Sequence, residues 1–193
     1  MGLAIGNALE TKEAFEVLHG GGPDDLRECT MVLGAEMLRI AGIANGQAAC
    51  RKLLNNTLRD GTAIRVMQRV IKAQHGDPRV VEEPDRLPSA PYQVPLLASR
   101  SGIVTAIDAL EIGRSAVILG AGRQQVKDHI DPAAGMVLHV KLGDRIKARQ
   151  PLLTVHSSQP EIAPALRQRL LAAVQLGSRP IKSPPLVLEA IPG

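Results

Sequence analysis

The sequence predicts an α+β fold in two parts, a helical segment over residues 1–84 and a mixed helix-and-strand segment over residues 85–193. Three observations lead there. Before residue 77, apolar residues recur at helical spacing in four successive stretches, preceded by only five residues, Met1 to Ile5, that could form strand. Over residues 77–95 the composition changes to five prolines and the charge cluster Glu82-Glu83-Pro84-Asp85-Arg86, which reads as a linker. Beyond it lie two β units that each begin with glycine, at residues 102–107 and 135–156.

The first helix is read from Asn7, a capping residue followed three positions later by Glu10 as in a capping box. Ala8, Ala14, Phe15 and Leu18 form its apolar face, and it stops at Gly20-Gly21-Gly22-Pro23. A glycine run can cradle phosphate, but phosphate sites favour the start of a helix. The Lys-Ser/Thr pair of a P-loop is also missing, so this run is a helix stop and loop. Asp24 and Asp25 open the second helix at its positive end. Its predicted core stripe is Leu26, Cys29, Leu33, Met37 and Ile40, with Gly42 as the stop. Asn45 is read as the cap of a third helix that buries Ala49, Leu53 and Leu54 and ends at Asp60-Gly61. A fourth runs from Thr62 through Ile64, Met67 and Ile71 to His75-Gly76. Four consecutive helices need a surface to cover, and five residues of strand are too few to supply it, so this part reads as the end of a longer α/β layer.

In the second part, residues 94–98 and 102–107 read as strands and residues 109–118 as a helix, broken by Gly120-Ala121-Gly122-Arg123. In the 135–156 stretch, Val137, His139 and Lys141 alternate with Leu138, Val140 and Leu142, the period of a strand with two different faces. Gly143-Asp144 supplies a turn, residues 145–149 a charged connector, and residues 151–155 the returning strand. Two such units point to a hammerhead-like arrangement of the kind found in barrel-sandwich folds. Residues 160–176 read as a final helix with Ile162, Leu166, Leu170 and Val174 in its stripe, and residues 186–191 as an edge strand.

Composition excludes more than it proves. The chain has 193 residues, one Tyr, one Phe and no Trp, so its core is built from aliphatic side chains. The net charge of +4 is spread among acids, and no aromatic platforms exist on which bases could stack, which argues against nucleic acid as a partner. Cys29 and Cys50 lack CxxC or His spacing and read as reduced thiols. No apolar run reaches the ~18 residues of a membrane helix, and the N-terminus lacks a signal-peptide pattern. The expected setting is cytoplasmic, with no membrane partner.

Several motifs agree in order and spacing. They are GNALETKEAFEVLHGGGPDDLRE from Gly6, AQHGDP from Ala73, LGAGR from Leu119, ID with GMVL from Ile130, and KLGDRI from Lys141. Together they resemble the C-terminal part of the thymidine and pyrimidine-nucleoside phosphorylases. The resemblance covers nearly all of this chain and less than half of such an enzyme.

That resemblance implies that residues 1–84 are the last helices of an α/β phosphate-binding domain and residues 85–193 its C-terminal α+β domain. It implies a homodimer that cleaves a pyrimidine nucleoside, of the thymidine or uridine type, with inorganic phosphate as co-substrate and no organic cofactor. The products would be the free base and a pentose 1-phosphate. The family's base-binding His, Arg, Ser and Lys and its phosphate-binding Lys, Ser and Thr lie upstream of the segment that matches Met1. No catalytic or substrate-binding residue is therefore carried over to this chain. One feature does reach it: some members hold a monovalent cation, potassium, through backbone carbonyls and a Glu. By position these fall on Met1, Ala4 and Glu13, with Met1 standing where the family has Leu.

His19, His75, His129, His139 and His156 have no Ser or Cys nucleophile at a recognisable motif and read as surface or strand-packing residues. Arg123 reads as structural. The competing reading is a non-catalytic hammerhead or barrel-sandwich module serving as a binding or scaffold unit. Biotinyl and lipoyl carriers of that shape present a Lys at the hairpin, where this chain has Gly143-Asp144.

Overall fold

The structure, a computed structural model, describes residues 2–191. Strand β1 (Ala4–Ile5) precedes helices α1 (Asn7–Leu18), α2 (Asp24–Ile40), α3 (Gln47–Arg59) and α4 (Thr62–Ala73). Two single 3-10 turns follow, at Pro78–Val81 and Pro84–Arg86. The rest of the chain gives β2 (Tyr92–Leu97), β3 (Gly102–Ile107), α5 (Ala109–Ala116), β4 (Gly135–Leu138), β5 (Arg145–Ile146), β6 (Pro151–Ser157), α6 (Pro164–Ala172) and β7 (Val174–Gly177). Helices and antiparallel sheets make this an α+β fold. Residues 11–87, with 2 and 185–191, form one compact unit, and residues 3–10 and 88–184 form another.

In the helical unit, α2 packs on α3 through small residues. Gly34 faces Leu54 so closely that an added Cβ would come within 2.9 Å of Leu54 Cδ1. Met31, Ala35 and Cys50 are buried there. Arg51 pairs with Glu28 across the two helices. This overturns the expected stripe of α2: Leu33, Met37 and Ile40 are 60, 70 and 74% exposed. The helix has apolar residues on two sides, and close approach to α3 selects the side with Gly and Ala. On α3 the inward positions are Cys50, Leu54 and Leu58, while Ala49 and Leu53 face out. That helix also begins with Gly46, not Asn45, in the capping position and has no side-chain cap. Ile64, Met67 and Ile71 of α4 are half-buried, as their spacing predicts.

In the other unit, one sheet has the order β1-β4-β6-β2 and a second the order β5-β3-β7, and every pairing is antiparallel. Leu96, Met136, Leu153 and Val155 of the first sheet pack with Ile112 and Ala116 of α5 and with Leu166 and Leu170 of α6. Val104, Val140, Ile146, Leu152 and Val174 form a second cluster.

Three expectations change here. The strands of the 135–156 unit do pair, from Gly135 with His156 to Leu138 with Leu153, but the chain between them is no tight hairpin. Gly143 N–H donates to Val104 O and Val104 N–H to Asp144 O, each at 2.9 Å, so the turn docks on β3. The supposed connector then becomes β5 beside it. The final helix stops at Ala172, because β3 offers a ladder from Ile107 with Val174 to Ile103 with Gly177. Residues 186–191 form no strand; no partner ladder takes them up, and Leu188 and Ile191 are exposed. No described helix is long and apolar enough to cross a membrane.

Candidate functional site

Four of the motifs noted in the sequence, GNALE, LGAGR, ID and GMVL, converge at the start of α1. Gly6 has φ +128°, and a Cβ there would meet Ala134 O at 2.5 Å and Gly135 Cα at 2.9 Å. Gly135, φ +158°, faces back: its Cβ would strike Ile5 O and lie 3.0 Å from Gly6 Cα. Only residues without a Cβ allow β1 and β4 to cross this closely. Around this crossing the open N–H groups of the helix find partners. Gly6 N–H donates to Glu10 Oε1 at 2.9 Å, and Ala8 N–H to Pro132 O at 3.0 Å. The Asn7 side chain, read from the sequence as a cap, donates from Nδ2 to Ala121 O at 2.9 Å. Asp131 closes the far side, its N–H donating to Gly120 O at 2.9 Å while its carboxylate accepts from Ala133 N–H at 2.9 Å. GNALE, LGAGR, ID and GMVL are thus one hydrogen-bonded knot.

The expected cation ligands lie on either side of the Gly6 turn in the chain. Ala4 is in β1, in register with Val137. Glu13, one turn into α1 beyond Glu10, is buried to 9% exposure and lies against Gly2, where an added Cβ would strike Glu13 Oε2. Met1 lies outside the described residues. A backbone carbonyl and a carboxylate are hard oxygen donors, and their chemistry fits an alkali cation. No group of three His, Cys, Asp or Glu suited to a metal ion occurs among the described residues.

The histidines divide. His19 Nδ1–H donates to Phe15 O at 2.8 Å, and Nε2 lies 3.2 Å from Glu82 Oε2. With an acceptor at each nitrogen, the Phe15 carbonyl first and the Glu82 carboxylate second, its pKa rises above the usual value. His139 Nε2 bonds Thr154 Oγ1 at 2.7 Å. His156, two residues along β6 from Thr154, is pushed down by burial and then by the charge of His139. Among the described residues no histidine is hydrogen-bonded to a Ser or Cys side chain. The thiols of Cys29 and Cys50 are free, and Cys50 Sγ donates to Ala44 O at 3.4 Å. Sequence reasoning missed the Asn7–Ala121 bond and the Gly6–Gly135 crossing. The only signal was that both motifs carry glycine at the junction of a strand with its neighbour.

Two antiparallel sheets locked to a helix start by a glycine crossing define an α+β domain. Residues 103–178 match the family model described as pyrimidine nucleoside phosphorylase C-terminal domain. The chain is similar to the pyrimidine-nucleoside phosphorylase of Staphylococcus haemolyticus (strain JCSC1435), 42% identical over 168 residues, which are 87% of this chain and 39% of that protein. It is similar to that of Geobacillus stearothermophilus, 37% identical over 191 residues, 99% of this chain and 44% of that protein. The protein of the same name from Staphylococcus aureus (strain USA300) is 38% identical over the same length and shares. The chain belongs to the pyrimidine-nucleoside phosphorylase family and corresponds to its C-terminal part. It spans 39–44% of the length of these curated relatives.

Proposed function

We propose that this chain is the C-terminal portion of a cytoplasmic, homodimeric pyrimidine-nucleoside phosphorylase. The whole enzyme would transfer the pentose of a thymidine- or uridine-type nucleoside to inorganic phosphate, releasing the free base. The observation that carries this reading is the alignment of 99% of the chain with enzymes of that name. Phosphorolysis needs fixed donors and cations around a developing oxocarbenium-like sugar and a leaving base anion. The match of the chain to the C-terminal part of these enzymes supports placing the reacting groups on polypeptide N-terminal to the segment matching Met1.

The role of residues 1–84 is then to complete an α/β domain, and residues 85–193 are the C-terminal α+β domain. The exposed Leu33, Met37 and Ile40 of α2 support this, because an apolar stripe so exposed marks a contact surface. Potassium would be held in the whole enzyme by the carbonyls of Met1 and Ala4 and by Glu13, supplying fixed positive charge beside the helix start.

The test is release of thymine from thymidine and phosphate by the chain alone and after addition of the N-terminal portion of a relative. Activity only on complementation is expected. Turnover by the chain alone would place the active site within these residues and overturn the assignment.

A further inference from the structure

α4 and the Pro78–Val81 turn enclose a cleft of about 700 Å3, within the range of small-molecule sites. Four cations, Arg65, Arg69, Lys72 and Arg79, line it against two carboxylates, Glu82 and Glu83. Most of these charges are already engaged. Arg65 donates from Nη1 to Asp60 O at 2.9 Å and from Nη2 to Thr62 Oγ1 at 2.8 Å. Arg79 forks onto Asp77, with Nε 2.8 Å from Oδ1 and Nη2 2.7 Å from Oδ2, and this holds the Asp77 carboxyl down at about 2. Glu82 faces His19 at 3.2 Å, and Glu83 accepts from Arg86 Nε at 2.5 Å.

Arg69 and Lys72 are different. They lie three residues apart on α4, hence on one face, and neither side chain has a hydrogen bond or ion pair among the described residues. Each carboxylate of the cleft is turned to a cation other than these two. Two unanswered monocations are matched by one dianion, which a phosphate monoester carries and a single carboxylate does not. A guanidinium beside an ammonium also suits phosphate, one as a planar fork and the other as a point charge. The remaining wall is largely apolar, made of the Pro78 ring and the alkyl stems of the basic side chains.

We propose that this cleft binds an organic phosphate monoester, with its phosphate on Arg69 and Lys72 and its organic body against Pro78. Its test does not depend on phosphorolysis. Binding of inorganic phosphate, ribose 5-phosphate and uridine 5′-monophosphate to the 193-residue chain is measured by calorimetry, with amide shifts to locate it. Both esters are expected to bind more tightly than inorganic phosphate and to shift α4 amides. A preference for uridine 5′-monophosphate over ribose 5-phosphate assigns the wall to a base, and equal affinity assigns it to the sugar. Charge-assisted bonds being the strong ones, Arg69→Gln with Lys72→Gln should weaken ester binding at least about tenfold, while Arg69→Lys retains most of it. Both positions lie on an open cleft face, and circular dichroism confirms that the variants remain folded. Absence of binding at millimolar ester, ester binding no tighter than that of inorganic phosphate, or an unchanged affinity in the double variant would overturn the proposal.

Discussion

Gly6 and Gly135 cross with no side chain between them: a Cβ on Gly6 would lie 2.9 Å from Gly135 Cα, and one on Gly135 3.0 Å from Gly6 Cα. The two residues are far apart in the chain, and their contact joins the turn before α1 to the first residue of β4. Everything that orders the N-terminal strand depends on it, including the pairing of Ala4 with Val137 and Ile5 with Met136.

Gly6→Ala should therefore unfold this junction. The substitution combines a φ of +128°, rarely adopted by L side chains, with backbone overlap at Ala134 O, 2.5 Å away. The expected loss is about 3 kcal/mol or more, since strain and overpacking add. Urea titration followed by far-ultraviolet circular dichroism measures it. A midpoint unchanged from the parent chain would show that the crossing opens without cost.

Ser115 offers the opposite sign. Its hydroxyl is fully buried in α5 and finds no hydrogen-bond partner among the described residues. A desolvated, unsatisfied hydroxyl costs stability, so Ser115→Ala should stabilise the chain by about 1 kcal/mol. Thermal unfolding of the two proteins decides it, and a destabilised variant would reveal a partner for the hydroxyl.

His19 supplies a pH dependence. Its pKa is raised above 6.5, first by the Phe15 carbonyl and then by Glu82. A raised pKa means that protonation favours the folded state. The contribution is fully present below 6.5 and fades as pH rises through the folded-state value. The pair is partly exposed, so the effect stays below about 1 kcal/mol. Ring-proton NMR should place the His19 midpoint above 6.5, and Glu82→Gln should lower it. A midpoint that ignores the Glu82 substitution would separate the two groups.

Glu13→Ala tests the proposed cation site in an enzyme restored with its N-terminal portion. Loss of a carboxylate removes both an oxygen and its charge, so the potassium concentration needed for half-maximal activity should rise several-fold. Because Glu13 lies against Gly2, Glu13→Gln serves as the variant that keeps the shape. An unchanged potassium titration for both would remove Glu13 from the site.

By itself the sequence determined where helices α1 to α4 fall and where β3 begins and ends. Spacing of apolar residues and stops such as Gly20 and Gly42 act locally, within one or two turns, so one chain suffices to read them. The quoted motifs likewise marked the family without coordinates. Tertiary structure decided the rest, because it depends on which surface finds a partner. α2 carries apolar residues on two sides, and only contact with Leu54 of α3 selects Gly34 and Ala35 over Leu33 and Met37. Val174 fits a helical stripe as well as a strand, and the free edge of β3 makes it strand. Asn7 looks like a cap from its neighbours alone, yet its amide reaches Ala121, a residue that no periodicity connects to it. Local propensity is written in adjacent residues, whereas the choice among faces, edges and distant acceptors is settled by the burial and backbone hydrogen bonds that long-range packing makes available.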